Sequence, residues 1–255
     1  MTAVEDQLVV SDVAGGVATL TLDSPHNRNA LSTALIAALG AALKAAADDD
    51  AVRVIVLSHT GRVFCSGADL TATGTLPAAR LGELLAAVWE CAKPVLARVG
   101  GPARAGGLGL IAAADLAICS TDATFACSEV RLGVIPAVIS AVLLPRLSPR
   151  AAAELYLTGE PIDGVRAAQI GLVTAAVPAD ELDAAVRGYT AALLRGGPAA
   201  LTATKELLHR RPGLTLRDDL TALTELSLQY FGSPEGIEGV QAFRDNRRPN
   251  WAPPR

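Results

Sequence analysis

The sequence predicts an α/β fold closed by a helical layer, and three observations carry that prediction. Short β-branched runs recur ahead of helical stretches, so a β-β-α order repeats through the first half of the chain. Two glycine-bearing loops, FCSGADL (64–70) and RAGGLGL (104–110), each follow a strand-like run. From Pro149 the character changes, and beyond Pro178 the pattern is almost wholly helical.

Taken in order, QLVVSDVAGGVATLTLD (7–23) reads as two strands around an Ala-Gly-Gly turn. The spacing predicts a helix from Thr33 to Ala47, ended by a solvated Asp48–Asp50 run. Arg53–Ser58 reads as a buried strand, followed by a polar loop and a helix from about Pro77 to Cys91. KPVLARV (93–99), DLAICS (115–120) and ATFACSEV (123–130) read as strands. In SPRAAAELYLTG (148–159), Ser148 is the expected N-cap, Pro149 the first helical residue and Gly159 the stop. DGVRAAQIGLV (163–173) reads as a second short helix. A boundary near Gly196–Pro198 divides an α/β core (1–196) from a C-terminal helical segment (197–255).

Composition excludes several functions. A chain of 255 residues, 51% hydrophobic, has ample material for a core. A net charge of −4, with no basic stripe interleaved with aromatics, argues against nucleic acid as partner. The first twenty residues lack a basic n-region and a long apolar run, and no stretch of the length a bilayer needs is free of charges and glycines, so neither secretion nor a membrane is expected. Cys65, Cys91, Cys119 and Cys127 form no CxxC pair and have no histidine at metal-ligand spacing; free thiols in a reducing cytoplasm and no metal are expected.

The chemistry concentrates in the two glycine loops and one glutamate. Gly106, Gly107 and Gly109 stand where a helix begins, although each glycine costs a helix interior ~1 kcal/mol relative to alanine. A loop opening a helix presents unpaired N–H groups at the positive end of its dipole, and two such donors converging on one point would make an oxyanion hole. In SEVRLGVIP (128–136), Glu129 sits among apolar residues, where a carboxyl should hold its proton to higher pH than usual. The competing reading is an exposed strand-end carboxylate paired with Arg131, since residues two apart share a face of an extended chain.

In order along the chain, NRNAL (27–31), FCSGADL, GPARAGGLGLIAAADLAI, FACSEVRLGVIP, LTGEPIDGVRAAQIGLV and EGIEGVQAFRDNRRPNW resemble the crotonase family of enoyl-CoA hydratases and isomerases over essentially the full length. The later motifs look most like the branch with bacterial methylglutaconyl-CoA hydratases. The resemblance implies a spiral of ββα turns, C-terminal helices that build trimers or paired trimers, and an acyl-CoA thioester substrate. Coenzyme A belongs to that substrate, and no separate cofactor is implied. Carried over position by position, the thioester oxygen lies between the N–H groups of Ala68 and Gly106, and Glu129 is the retained acid–base residue. Ala30, Ser66, Asp69, Leu70, Gly109 and Ser128 fall in the substrate site, while Arg28, Phe243, Arg247 and Arg248 are the candidates for the CoA nucleotide.

The chain departs from that pattern at one position. Two-glutamate hydratases carry an acid where this chain has Gly109, and Asp115 lies too far along, reading instead as a cap or ion-pair partner. A side chain at 109 is expected to face the thioester, because Gly106 lies three residues earlier on the same helix. Hydration of a 2-enoyl-CoA is the leading reading, with branched and carboxylated acyl groups among the candidate substrates; a single-glutamate isomerase is the alternative. From other classes come a non-catalytic acyl-CoA-binding protein and a hydrolase using Ser66 with His59.

Overall fold

The computed structural model describes residues 7–69, 78–210 and 216–252. β1 (Val9–Ala14) and β2 (Val17–Leu22) pair antiparallel across the turn that Gly15 and Gly16 make at positive φ. Buried Ala18, Leu20 and Leu22 alternate with half-buried residues in β2, so one face meets the core. α1 (Thr33–Asp48) is capped by Ser32, whose side chain accepts from the Leu35 N–H; it buries Leu35, Ile36, Leu39, Leu43 and Ala46 on one stripe.

β3 (Val54–His59) is buried at all six positions, as suits a central parallel strand covered on both faces. α2 (Ala78–Glu90), β4 (Val95–Val99), the two-residue β5 (Ala103–Arg104) and α3 (Gly106–Ala113) follow. All eight residues of α3 are buried, so this helix is internal. β6 (Leu116–Ser120) and β7 (Thr124–Ala126) precede a 3₁₀ turn over Ser128–Leu132 and α4 (Ala137–Leu143). α5 (Pro149–Thr158) has the expected Ser148 cap, with Gly159 in the left-handed conformation as its stop. β8 (Ile162–Asp163), α6 (Gly164–Gln169) capped by Asp163, and β9 (Ala175–Val177) complete the α/β part. α7 (Leu182–Leu194), α8 (Pro198–His209), α9 (Leu216–Phe231) and α10 (Pro234–Arg244) form the C-terminal layer.

The strands form a six-stranded sheet ordered β1-β2-β3-β4-β6-β9 and a small sheet ordered β5-β7-β8. Beyond the first hairpin, every pairing in the large sheet is parallel. Each pass of the chain lays a strand in the large sheet, touches the second layer, and then enters a helix. β2 leads to Leu31, which bridges Ala68, and then α1; β3 leads to Cys65, which bridges Ala103, and on to α2; β4 leads to β5 and α3. This is a spiral of ββα turns. One face of the large sheet packs on α1, α2 and α3, and the other meets α7 through Val56, Leu96, Ile118, Leu182 and Val186.

Two sequence expectations change here. The strand expected over 123–130 stops at Ala126, and Ser128–Leu132 winds into a 3₁₀ turn closed by Gly133 at positive φ. With three residues per turn, positions 129 and 131 no longer share a face. β8, β9 and α4 are elements that the sequence reading did not mark, because each is too short for its periodicity to register.

Candidate active site

A cavity of about 470 Å³ opens where the second layer meets the N-terminus of α3. Its wall is mostly hydrocarbon. Leu31 comes from the segment before α1, Ile36 from its first turn, Leu81 from α2, and Val138 and Ile139 from α4. Set into that wall are Ser66 and Ala68, Gly106, and Ser128 with Glu129.

Leu31 ties the two loops together. Its N–H donates to Gly67 O at 2.7 Å, and it bridges Ala68. A Cβ on Gly106 would lie 2.6 Å from Leu31 Cδ1, so any larger residue at the start of α3 would displace the Leu31 side chain. Gly107 is held the same way, with its missing Cβ 2.9 Å from that of Cys65. The helix entry itself turns on Ala105, at φ +47° and ψ −117°, a conformation that favours glycine. Gly106 is the first helical residue, so its N–H has no partner within the helix. Among the described residues, neither that N–H nor the Ala68 N–H donates to a backbone acceptor outside the regular elements.

The 3₁₀ turn delivers Glu129. Its Oε2 is shut off from solvent and has no hydrogen-bond partner. Burial pushes the carboxyl above its ordinary value of 4.5, opposed by its own backbone N–H. Arg131 does not neutralise it; that guanidinium pairs with Glu160 and donates to Thr158 O. Neighbouring Cys127 is pushed up to about 12, chiefly by burial, and stays a neutral thiol. The Tyr156 hydroxyl shares a 3.1 Å hydrogen bond with Ser140, which donates to Pro136 O at 2.6 Å, and this pair braces the turn into α4. The site therefore brings a carboxyl oxygen without a partner, a hydrocarbon wall, and residues Ala68 and Gly106 to one cavity.

A family model described as "Enoyl-CoA hydratase/isomerase" matches residues 12–254. The chain belongs to the enoyl-CoA hydratase/isomerase family. An enoyl-CoA hydratase structure from Mycobacterium smegmatis superposes with a TM-score of 0.89 at 33% identity, covering 96% of this chain and 98% of that one. An enoyl-CoA hydratase structure from Mycobacterium avium is 45% identical, with a TM-score of 0.74 and coverage of 96% and 99%. The carnitinyl-CoA dehydratase of Proteus mirabilis is 31% identical over 249 residues, spanning 93% of this chain and 95% of the relative. The fold is accordingly the crotonase fold, and the family acts on acyl-CoA thioesters.

Within that family frame, the structure gathers Ser66, Ala68, Gly106, Ser128 and Glu129 at the cavity. Asp69 is half-buried beside Ala68 but outside the lining, and Ala30 is buried behind Leu31, its N–H facing Asn27 Oδ1. Leu70 lies outside the described residues.

Gly109 requires a correction. It does not line the cavity; a Cβ there would sit 2.8 Å from Ile139 Cγ2 and 3.1 Å from Leu85 Cδ1. The N–H of a helix's first residue points along the axis, whereas a side chain projects sideways, so the donor at 106 does not set where position 109 faces. Arg28 is exposed, and it is its carbonyl that matters locally, accepting from the Ser66 N–H. Arg247 is held by Glu238 and Asp245, and Phe243 is 87% exposed on α10; neither is part of the cavity.

The hydrolase pairing also fails on geometry. His59 Nε2 accepts from the Gly100 N–H and Nδ1 faces Thr60 O, while Ser66 Oγ points to Asn27 O. Among the described residues, no cluster of His, Cys, Asp and Glu could hold a metal, and no helix is long and apolar enough to cross a membrane.

Sequence reasoning missed Asn29. Fully buried at φ +53°, it accepts from the Ser24 N–H and donates to Thr60 O and Val63 O. It straps the 27–31 segment to the loop carrying Ser66 and Ala68. The available signal was an asparagine in the NRNAL motif, a residue that tolerates left-handed backbone and supplies both donor and acceptor.

Proposed function

We propose that this chain adds water reversibly across the double bond of a 2-enoyl-CoA, with Glu129 as its acid–base residue and the N–H groups of Ala68 and Gly106 holding the thioester oxygen. The carrying observation is the Glu129 Oε2 atom, buried without a partner in a hydrocarbon cavity that also exposes those two backbone positions. Water attacks C3 and the π electrons move through C2 to the thioester oxygen, giving an enolate. Glu129 takes a proton from the water and returns one to C2, so the balance is one water added. The two N–H groups act where negative charge develops, which is where fixed donors accelerate most.

One observation favours a second reading, a shift of the double bond between C3 and C2. The described cavity wall carries a single carboxylate, and one carboxylate suffices to take a proton from C2 and return it at C4. The deciding experiment incubates the protein with 2-enoyl-, 3-enoyl- and methylglutaconyl-CoA in isotopically labelled water and reads products by mass. Labelled oxygen at C3 supports hydration, solvent hydrogen at C4 without added oxygen supports isomerisation, and no incorporation overturns both in favour of a binding-only protein.

Coenzyme A enters as part of the substrate. We assign subunit contact, as a trimer or paired trimers, to the C-terminal segment, where Phe231, Ile237 and Phe243 leave apolar surface exposed on α9 and α10. Mass measurement in solution tests it. Four buried free thiols suit a reducing cytoplasm.

A further inference from the structure

We infer that Ile139, locked against Gly109, sets how long an acyl chain the cavity accepts: it makes the buried side a hydrocarbon stop that favours short acyl chains. This rests on the acyl-CoA reading above and concerns the same cavity. Ile139 is 3% exposed and lines the cavity, whereas Leu132 and Ile135, at its mouth, are 62% and 76% exposed. Ile139 therefore lies on the buried side of the cavity with Leu31 and Ile36, and it is the one of the three that packs on Gly109. Its Cγ2 and Cβ would lie 2.8 Å and 3.3 Å from a Cβ on Gly109. These are atoms close to the backbone of a β-branched residue, so they cannot swing aside as the tip of a long side chain would. Gly109 thus lets Ile139 take the space between α3 and α4, and any side chain at 109 pushes Ile139 toward the cavity.

Length, and not charge, is what this contact controls: among the described lining residues Arg104 donates to Ala103 O, Thr124 O and Thr124 Oγ1, neutral acceptors that leave its positive charge uncancelled.

The test uses saturated thioesters, which bind without turnover. Dissociation constants for butanoyl- and octanoyl-CoA are measured by calorimetry on the intact protein, Ile139→Ala, Ile139→Val, Gly109→Ala and the Gly109→Ala/Ile139→Ala pair, with melting temperatures alongside. The intact protein should bind butanoyl-CoA at least as tightly as octanoyl-CoA, although the longer chain has more hydrocarbon to bury. Ile139→Ala should improve octanoyl relative to butanoyl binding on the order of tenfold, the scale at which pockets discriminate methylenes. Ile139→Val, which keeps the core packed, should move the ratio the same way by less. Gly109→Ala should weaken octanoyl binding and lower the melting temperature, and the paired variant should reverse both. A ratio unmoved by both Ile139 variants, or octanoyl-CoA bound more tightly than butanoyl-CoA by the intact protein, overturns the inference while leaving the functional reading intact. An intact protein that binds neither thioester overturns the functional reading, and this inference with it.

Discussion

Glu129 carries the sharpest consequences of any single residue. Glu129→Gln should lower turnover by about 10²–10⁴-fold while acyl-CoA binding persists; calorimetry and initial rates together check it. Its pH behaviour has a definite sign. The folded state holds this proton above the ordinary 4.5 because burial disfavours the charge. Between the ordinary value and the raised one, the folded state binds more protons than the unfolded, so stability falls as pH rises through that window. Glu129→Gln should therefore be more stable than the parent at neutral pH, with the gain vanishing below about pH 4, where both states are protonated. Ala105 makes a second prediction. Alanine at φ +47° and ψ −117° stores strain of about 1–3 kcal/mol, against ~0.5–1 kcal/mol for glycine's extra unfolded freedom. Ala105→Gly should raise stability by about 1 kcal/mol in denaturant titration, and no gain would mean that the turn is unstrained.

Among the elements, the strapped 27–31 segment and the 3₁₀ turn matter most, since they set where the reacting groups stand. Asn29→Ala removes three buried hydrogen bonds and places alanine at a left-handed φ. It should cost about 2–4 kcal/mol, at the combined scale of unsatisfied buried groups and backbone strain, and should lower kcat more than it raises KM because the Ala68 loop loses its anchor. A variant with unchanged kcat would show that the loop is held by other contacts. Legibility in the sequence divides along the same line. Long elements with caps were readable: α5 begins after Ser148 and ends at Gly159 because cap chemistry is local. The 3₁₀ turn was not readable, since SEVRL suits a strand equally well and the Gly133 that closes the turn at positive φ does not by itself mark a coil. Glu129 could be singled out from its apolar neighbours, but its freedom from Arg131 depends on that turn.

The whole molecule hangs together through contacts that join the C-terminal layer to the spiral. Lys205 on α8, 8% exposed at its side chain, reaches back to Asp115 Oδ2 at 2.8 Å, and the same oxygen accepts from the Val95 N–H at 2.7 Å. The expected role of Asp115 as an ion-pair partner is what the structure shows. Lys205→Met leaves that carboxylate without its cation and should cost about 2–4 kcal/mol, toward the range for breaking a buried pair, since Asp115 is itself part-exposed. Equilibrium unfolding measures it, and a cost under ~1 kcal/mol would mean that α8 docks without help from this ion pair. What was not legible at this scale was the Gly109 environment, because α3 and α4 are distant in the chain's periodicity and meet only once the spiral is wound.

The contact between Gly109 and Ile139 also bears on how this lineage can change by mutation. An acid introduced at 109 first must force apart two packed helices, so the intermediate is selected against before any new chemistry exists. Shrinking Ile139 first opens space on the buried side of the cavity and only then makes room for a side chain at 109. The two substitutions are thus accessible in one order and blocked in the other, and the one-carboxylate site is kept by its neighbour's bulk as much as by its own chemistry.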